Sequence, residues 1–209
     1  MQNVRRVFLA TAVATFLVTP AFAQTASSTQ GFHLGAALNG SYIQLDEDDV
    51  GDSEMESGAG LSLYVGYNFT PNIGLILSGT GANIDAEGGG SYTLAHGDLG
   101  LRFSLSATPK FVPYAEAAYS GLSAKGDVDG DDVEFTGGGF TGALGFNFFM
   151  TQRLALDLNF KYTKGEFNTV KIGGQSVSDD DGIGVSTGRF NIGIAFYPSA
   201  GKSRSSSGR

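Results

Sequence analysis

Large apolar side chains recur at every second position along this chain, in segment after segment, and that period restricts the fold more than any other feature. In RLALDLNFKYTK, residues 153–164, Leu154, Leu156, Leu158, Phe160 and Tyr162 alternate with Ala155, Asp157, Asn159, Lys161 and Thr163. Successive side chains of a strand point to opposite faces, so this pattern gives one apolar face and one polar face.

Eight such segments are expected, at about 31–45, 60–70, 72–84, 92–106, 111–124, 136–149, 153–164 and 183–197, punctuated by Gly, Pro and Asp clusters. The connections alternate in length. TPN, ATPK and MTQ are short, whereas DEDDVGDSEMES, DAEGGGS, KGDVDGDDVEF and GEFNTVKIGGQSVSDDDG are long. An up-and-down sheet with an even number of strands places all the short turns, and both termini, at one end. Charge sorts the same way, for 18 of the 21 acids lie in or beside the four long connections. The short turns and the tail carry Lys110, Arg153, Lys202, Arg204 and Arg209 and no acid.

Clear of the strand ends, where Arg153 and Lys164 lie, the charged residues inside strands are Asp98, Arg102, Glu116, Asp157, Lys161 and Arg189, and each falls on the face opposite its strand's apolar set. His33 and His96 do the same. A charge facing lipid near the bilayer midplane costs about 2–4 kcal/mol for Arg or Lys, and a handful would exceed the stability of a folded domain, about 5–15 kcal/mol. The apolar face is free of them. Three cations and three anions can pair inside, Arg102 with Glu116 and Asp157 with Lys161 among them, where an unpaired buried charge is costly.

A soluble barrel of the lipocalin kind would turn the apolar face inward. Its outer face would then be about 25–35% charged, whereas here the polar face is mostly Gly, Ala, Ser, Thr and Asn. The expected fold class is therefore all-β, an eight-stranded antiparallel up-and-down transmembrane β-barrel. In hydrocarbon an open sheet leaves backbone groups unpaired, so the eighth strand must close on the first. Eight strands leave an interior that side chains can fill. Gly66, Gly74, Gly100, Gly145 and Gly193 make inward room for bulkier neighbours. Outward aromatics near the turn end (Phe32, Tyr67, Phe69, Phe146, Phe148, Phe196) and the loop end (Tyr42, Tyr119, Phe140, Tyr162) suit two interfacial girdles.

Residues 1–23, with Arg5 and Arg6, an apolar run from Val7 to Val18, and Ala21 and Ala23, read as a secretory signal cleaved before Gln24. The run is too short for a membrane helix of roughly 20 residues. Residues 24–30 then form a short N-terminal segment, 31–198 the barrel, and 199–209 a basic disordered periplasmic tail. The chain has no Cys, which excludes disulfides and thiolate metal sites, and its net charge of -8 argues against nucleic-acid binding.

LSLYVGYNFTPNIGLILSG, HGDLGLRFSL, FVPYAEAAY, GALGFNFF and LALDLNFKYT resemble the hairpins and strands of the small outer-membrane β-barrel family, which includes the transmembrane domain of outer membrane protein A and outer membrane protein X. The resemblance covers about residues 31–198 and implies a bacterial outer-membrane location, in contact with membrane lipid and lipopolysaccharide. Many members end on an aromatic residue that the assembly machinery reads. Here Phe196 and Tyr197 are followed by PSAGKSRSSSGR.

Site signals are sparse. DVDGDDVE, from Asp127, has alternating carboxylates like a calcium loop, but Asp132 stands where the EF-hand Gly belongs and Gly138 where its bidentate Glu belongs. Weak divalent-cation binding by Asp46, Glu47, Asp48, Asp49, Asp127, Asp129, Asp131 and Asp132, bridging loops to lipid phosphates, is the remaining expectation. His96 and Asp98 share a face and imitate a catalytic pair, for which a neighbouring strand could supply Ser78 or Ser120. Interior hydrogen bonding to Arg102 or Glu116 is the plainer reading. The functional expectation is a monomeric, non-enzymatic barrel without cofactor or metal, giving envelope support and surface contact through acidic loops. The alternatives are a narrow channel and a lipid-modifying enzyme.

Overall fold

The computed structural model describes residues 29–46, 55–86, 89–105, 110–128, 131–172 and 175–198. The signal segment, Glu47, Asp48, Asp49, Asp129 and residues 199–209 lie outside them. The strands are β1 (Gly31–Leu45), β2 (Glu56–Asn68), β3 (Ile73–Asp85), β4 (Ser91–Ser104), β5 (Phe111–Val128), β6 (Asp131–Phe149), β7 (Leu154–Ile172) and β8 (Gln175–Phe196). Each pairs antiparallel with the next, and β8 pairs back onto β1 from Leu34↔Phe196 to Leu45↔Val185, so the sheet is a closed eight-stranded barrel.

Side-chain parity follows the sequence. Leu38, Leu61, Leu63, Leu144 and Phe140 stand 65%, 63%, 64%, 70% and 75% exposed on the outer wall. Asp98, Arg102, Glu116, Asp157, Lys161 and Arg189 are all buried inside. Of the glycines turned inward, Gly66, Gly74 and Gly145 make room for larger side chains as predicted, whereas at Gly100 and Gly193 a Cβ would meet the backbone and an alanine of the neighbouring strand. At Gly66 a Cβ would run into the His33 imidazole, and at Gly145 into the Tyr114 ring and Asn159.

Two long connections differ from expectation. KGDVDGDDVEF and much of GEFNTVKIGGQSVSDDDG are strand rather than loop, since β5 and β6 stay paired out to Val128↔Asp131 and β7 and β8 out to Ile172↔Gln175. Acidic residues do not end a ladder that has left the membrane, where water solvates both faces. Asp129-Gly130 and Gly173-Gly174, each two residues between paired strands, are the dipeptides that favour tight hairpins. The wall β5–β8 therefore stands higher than β1–β4. The β7–β8 ladder passes from Phe167↔Ile183 to Thr169↔Ser178, which leaves residues 179–182, Asp-Asp-Asp-Gly, without counterparts on β7.

Candidate functional site

The barrel interior is built in three tiers. At its centre Asp98 on β4 lies 3.0 Å from Arg189 on β8 and 3.1 Å from Lys161 on β7. Lys161 also reaches Glu116 on β5 at 3.3 Å, and Glu116 holds Arg102 on β4 at 2.6 Å. A single lysine thus bridges two carboxylates, and an arginine closes each end of the chain. Ser78 and Ser120 donate to Asp98 at 2.8 and 2.6 Å, and Arg189 donates to Thr163 at 2.9 Å. With both carboxylates flanked by two cations each, desolvation is met by pairing and hydrogen bonding together, the condition for tolerating buried ions.

Asp157 departs from the expected pairing with Lys161. Its two oxygens accept from the Tyr64 and Tyr114 hydroxyls, at 2.5 and 2.6 Å. Arg102 sits over both rings, 5.0 Å from the Tyr64 centroid and 4.1 Å from that of Tyr114. The tyrosines therefore stand between the two charges, binding the cation by their faces and the anion by their hydroxyls. Lys161 lies four residues farther along β7 toward the loop end, beyond Asn159, within reach of Asp98 and Glu116 instead.

A second polar row was not expected. Asn39, Asn191 and Asn159 are successive partners on β1, β8 and β7, and Asn191 binds Asn39 at 3.0 Å, Asn159 at 2.7 Å and the Ser62 hydroxyl at 2.7 Å. The sequence signal was an amide on the inward parity of three strands. His96 meets Thr187 at 2.9 Å rather than Arg102 or Glu116. Ser78 and Ser120 are near Asp98, not poised on an imidazole, and all are buried.

Apolar side chains close the polar tier at both ends. On the loop side Ile43, Ile84, Leu94, Leu122, Phe167 and Val185 cluster inside the barrel. On the turn side Val112, Phe149, Ala155, Ala195 and Tyr197 form a floor. Tyr197 stacks on His33, with centroids 5.2 Å apart and planes at 15°, and accepts a 3.1 Å hydrogen bond from Asn147. These residues break the alternation by being apolar on the inward parity, the signal that could have revealed them.

On the outside, the acids of the loop end meet lysines. Asp46 pairs with Lys164 at 2.9 Å, Asp132 with Lys125 at 3.6 Å and Glu134 with Lys171 at 3.4 Å. Hydrogen bonds from Ser123 and Lys171 hold Glu134 below its ordinary carboxylate range. Asp127 faces Asp132 across the β5–β6 ladder, so these two carboxylates stand on strands rather than around a loop. Among the described residues no group of three or more His, Cys, Asp or Glu is placed to hold a metal ion.

The sequence matches the family model of the outer membrane protein beta-barrel domain over residues 9–197. Among solved structures, the fold is similar to the crystal structure of Neisserial surface protein A (NspA), with a TM-score of 0.59, 17% identity, and 83% of this chain and 99% of that chain covered. It is also similar to OprG from Pseudomonas aeruginosa, with a TM-score of 0.53, 14% identity, and coverage of 81% and 97%. Ail, the attachment invasion locus protein of Yersinia pestis, gives a TM-score of 0.51, 16% identity, and coverage of 80% and 99%. At these identities the likeness is one of fold. No curated protein matches the sequence.

Proposed function

Because the chain belongs to the outer membrane protein beta-barrel domain family and resides in the bacterial outer membrane, we propose that it is a closed, monomeric anchor whose work is done at the cell surface by its acidic hairpins. The observation that carries this reading is the interior: two apolar clusters with a neutralised charge network between them. A solute crossing the barrel would have to part both clusters and separate at least one buried ion pair. Closure through β1 and β8 also leaves no unpaired edge in the lipid band to recruit a second copy.

The hairpins support surface contact. They extend the sheet beyond the lipid-facing rows and carry acids that lysines only partly offset, within a chain of net charge -8. We assign no catalysis to the barrel, since the Ser78 and Ser120 hydroxyls donate hydrogen bonds to the Asp98 carboxylate inside a buried core. Contact with lipopolysaccharide through divalent cations held by Asp46 or the hairpin acids belongs to the same reading. An unchanged thermal stability with and without calcium or magnesium would count against that part.

The test pairs two measurements. In planar bilayers the purified barrel is expected to give no discrete conductance steps. On cells, the variant Asp179→Asn, Asp180→Asn, Asp181→Asn, at equal outer-membrane abundance, is expected to lower attachment to surfaces without making the envelope leaky. Discrete steps would favour a channel, and attachment unaffected by the triple variant would contradict the surface reading.

A further inference from the structure

One patch of the outer wall lacks the tall side chains around it. Leu101, Ala117, Gly142 and Tyr162 are successive cross-strand partners on β4, β5, β6 and β7. On the loop side the adjoining row holds Leu99, Tyr119 and Phe140, and on the turn side Phe103, Ala115, Leu144 and Phe160. Two small residues set among tall ones leave a furrow of about 420 Å³. That volume falls within the range of small-molecule sites, about 300–1,000 Å³. A Cβ added to Gly142 would meet nothing within 4 Å, so the floor is open to the outside. The rim is ordered: Tyr119 and Phe140 pack edge-to-face with centroids 5.6 Å apart, and Tyr162 donates to Ser186 at 3.2 Å.

We propose that this furrow seats one acyl chain of an outer-leaflet lipid. The inference rests on the outer-membrane placement and adds a specific binding site to it. The wall is already the lipid interface, so hydrocarbon is what reaches the furrow, and the furrow's lining is almost wholly apolar. Its aromatic rim faces the loop end, where Lys164, the cross-strand partner of Phe140, stands 60% exposed beside Asp46. Tyrosine rings and lysines at that level suit the headgroup region, and a chain hanging from it descends between Tyr119 and Tyr162 onto Ala117 and Gly142.

Between hydrocarbon partners there is no hydrophobic gain. Preference comes from packing contacts, which small residues allow to reach the backbone. A second barrel is the poorer fit, because two convex walls would touch at Phe140 and Tyr119, 75% and 58% exposed, and leave the floor uncovered.

The experiment uses the full barrel in nanodiscs of dimyristoylphosphatidylcholine, doped with a phosphatidylcholine bearing a diazirine in one acyl chain. Photolabelled positions are mapped by mass spectrometry. Labelling at Leu101, Ala117 and Tyr162 is expected to exceed that at Leu75, Leu77, Ile192 and Ile194 about fivefold, the preference that on the order of ten added carbon–carbon contacts would give. Gly142→Leu, which places one more lipid-facing leucine into open space, is expected to remove the excess, and Ala117→Leu fills the furrow from the other strand should that variant fail to fold. Even labelling around the wall, an excess that survives both substitutions, or cross-links joining two barrels through the furrow would each overturn the site. Absence of label from the entire wall would instead overturn the membrane placement beneath it.

Discussion

At the scale of single residues, the interior charges do unequal work. Asp98 has two cationic partners and two hydroxyl donors, whereas Asp157 has two tyrosine hydroxyls and no ion pair among the described contacts. Asp98→Ala would leave Arg189 and Lys161 short of a counter-charge and is expected to cost about 3–5 kcal/mol. Asp157→Asn should cost less, about 1.5–3 kcal/mol, the worth of hydrogen bonds to a charged group. Urea unfolding in lipid vesicles, followed by the gel mobility of unboiled samples, measures both, and equal losses would contradict the division of roles. The inward placement of these residues was legible in the sequence because parity alone decides the face. Of their partners, Glu116 for Arg102 was legible and is found, whereas Lys161 for Asp157 was not the outcome, because pairing depends on shear and on the tyrosines. Tyr64 and Tyr114 hold Asp157 and cradle Arg102, yet in the sequence they are aromatics on a polar parity, with nothing to say what their hydroxyls meet.

At the scale of elements, the alternating lipid-facing stretches of all eight strands could be read, while the length of the last four could not. The apolar period ends where lipid ends, but the hydrogen-bond ladder continues in water as long as tight turns permit. For β5–β6 and β7–β8 the period therefore marks the membrane boundary rather than the strand boundary. Hydrogen exchange tests this. Amides of β7 from Thr169 to Ile172, paired with Gln175 to Ser178, are expected to exchange more slowly than an unstructured loop of that sequence would. Exchange at the unprotected rate across that ladder would return the segment to the loop it first resembled. The apolar clusters at each end were hidden for a related reason. Ile43, Ile84, Leu94 and Leu122 sit on the inward parity near strand ends, where an apolar residue reads as noise in the period and not as a plug.

For the whole molecule, the division between a hydrocarbon-facing wall and a neutralised core is what the sequence states most clearly. It also explains why the six charges within the lipid-spanning stretch, Asp98, Arg102, Glu116, Asp157, Lys161 and Arg189, never occur on the apolar set. Reversing one such choice should be costly. Ile192→Arg, on the outer wall of β8, is expected to lose about 2–4 kcal/mol in vesicles, while Ile192→Leu should leave the unfolding midpoint nearly unchanged. The absence of native Cys makes a more direct measurement available, a spin-label scan of single cysteines at 140–144 and 146–148 along β6, which leaves out Gly145 because a side chain there would run into its neighbours. In bilayers, collision with oxygen is expected to peak at 140, 142, 144, 146 and 148, with 141, 143 and 147 shielded from both oxygen and a water-soluble nickel chelate. If 141, 143 and 147 prove open to the chelate while 140, 144 and 148 mark a shielded centre, the wall and the core are exchanged and the outer-membrane account fails.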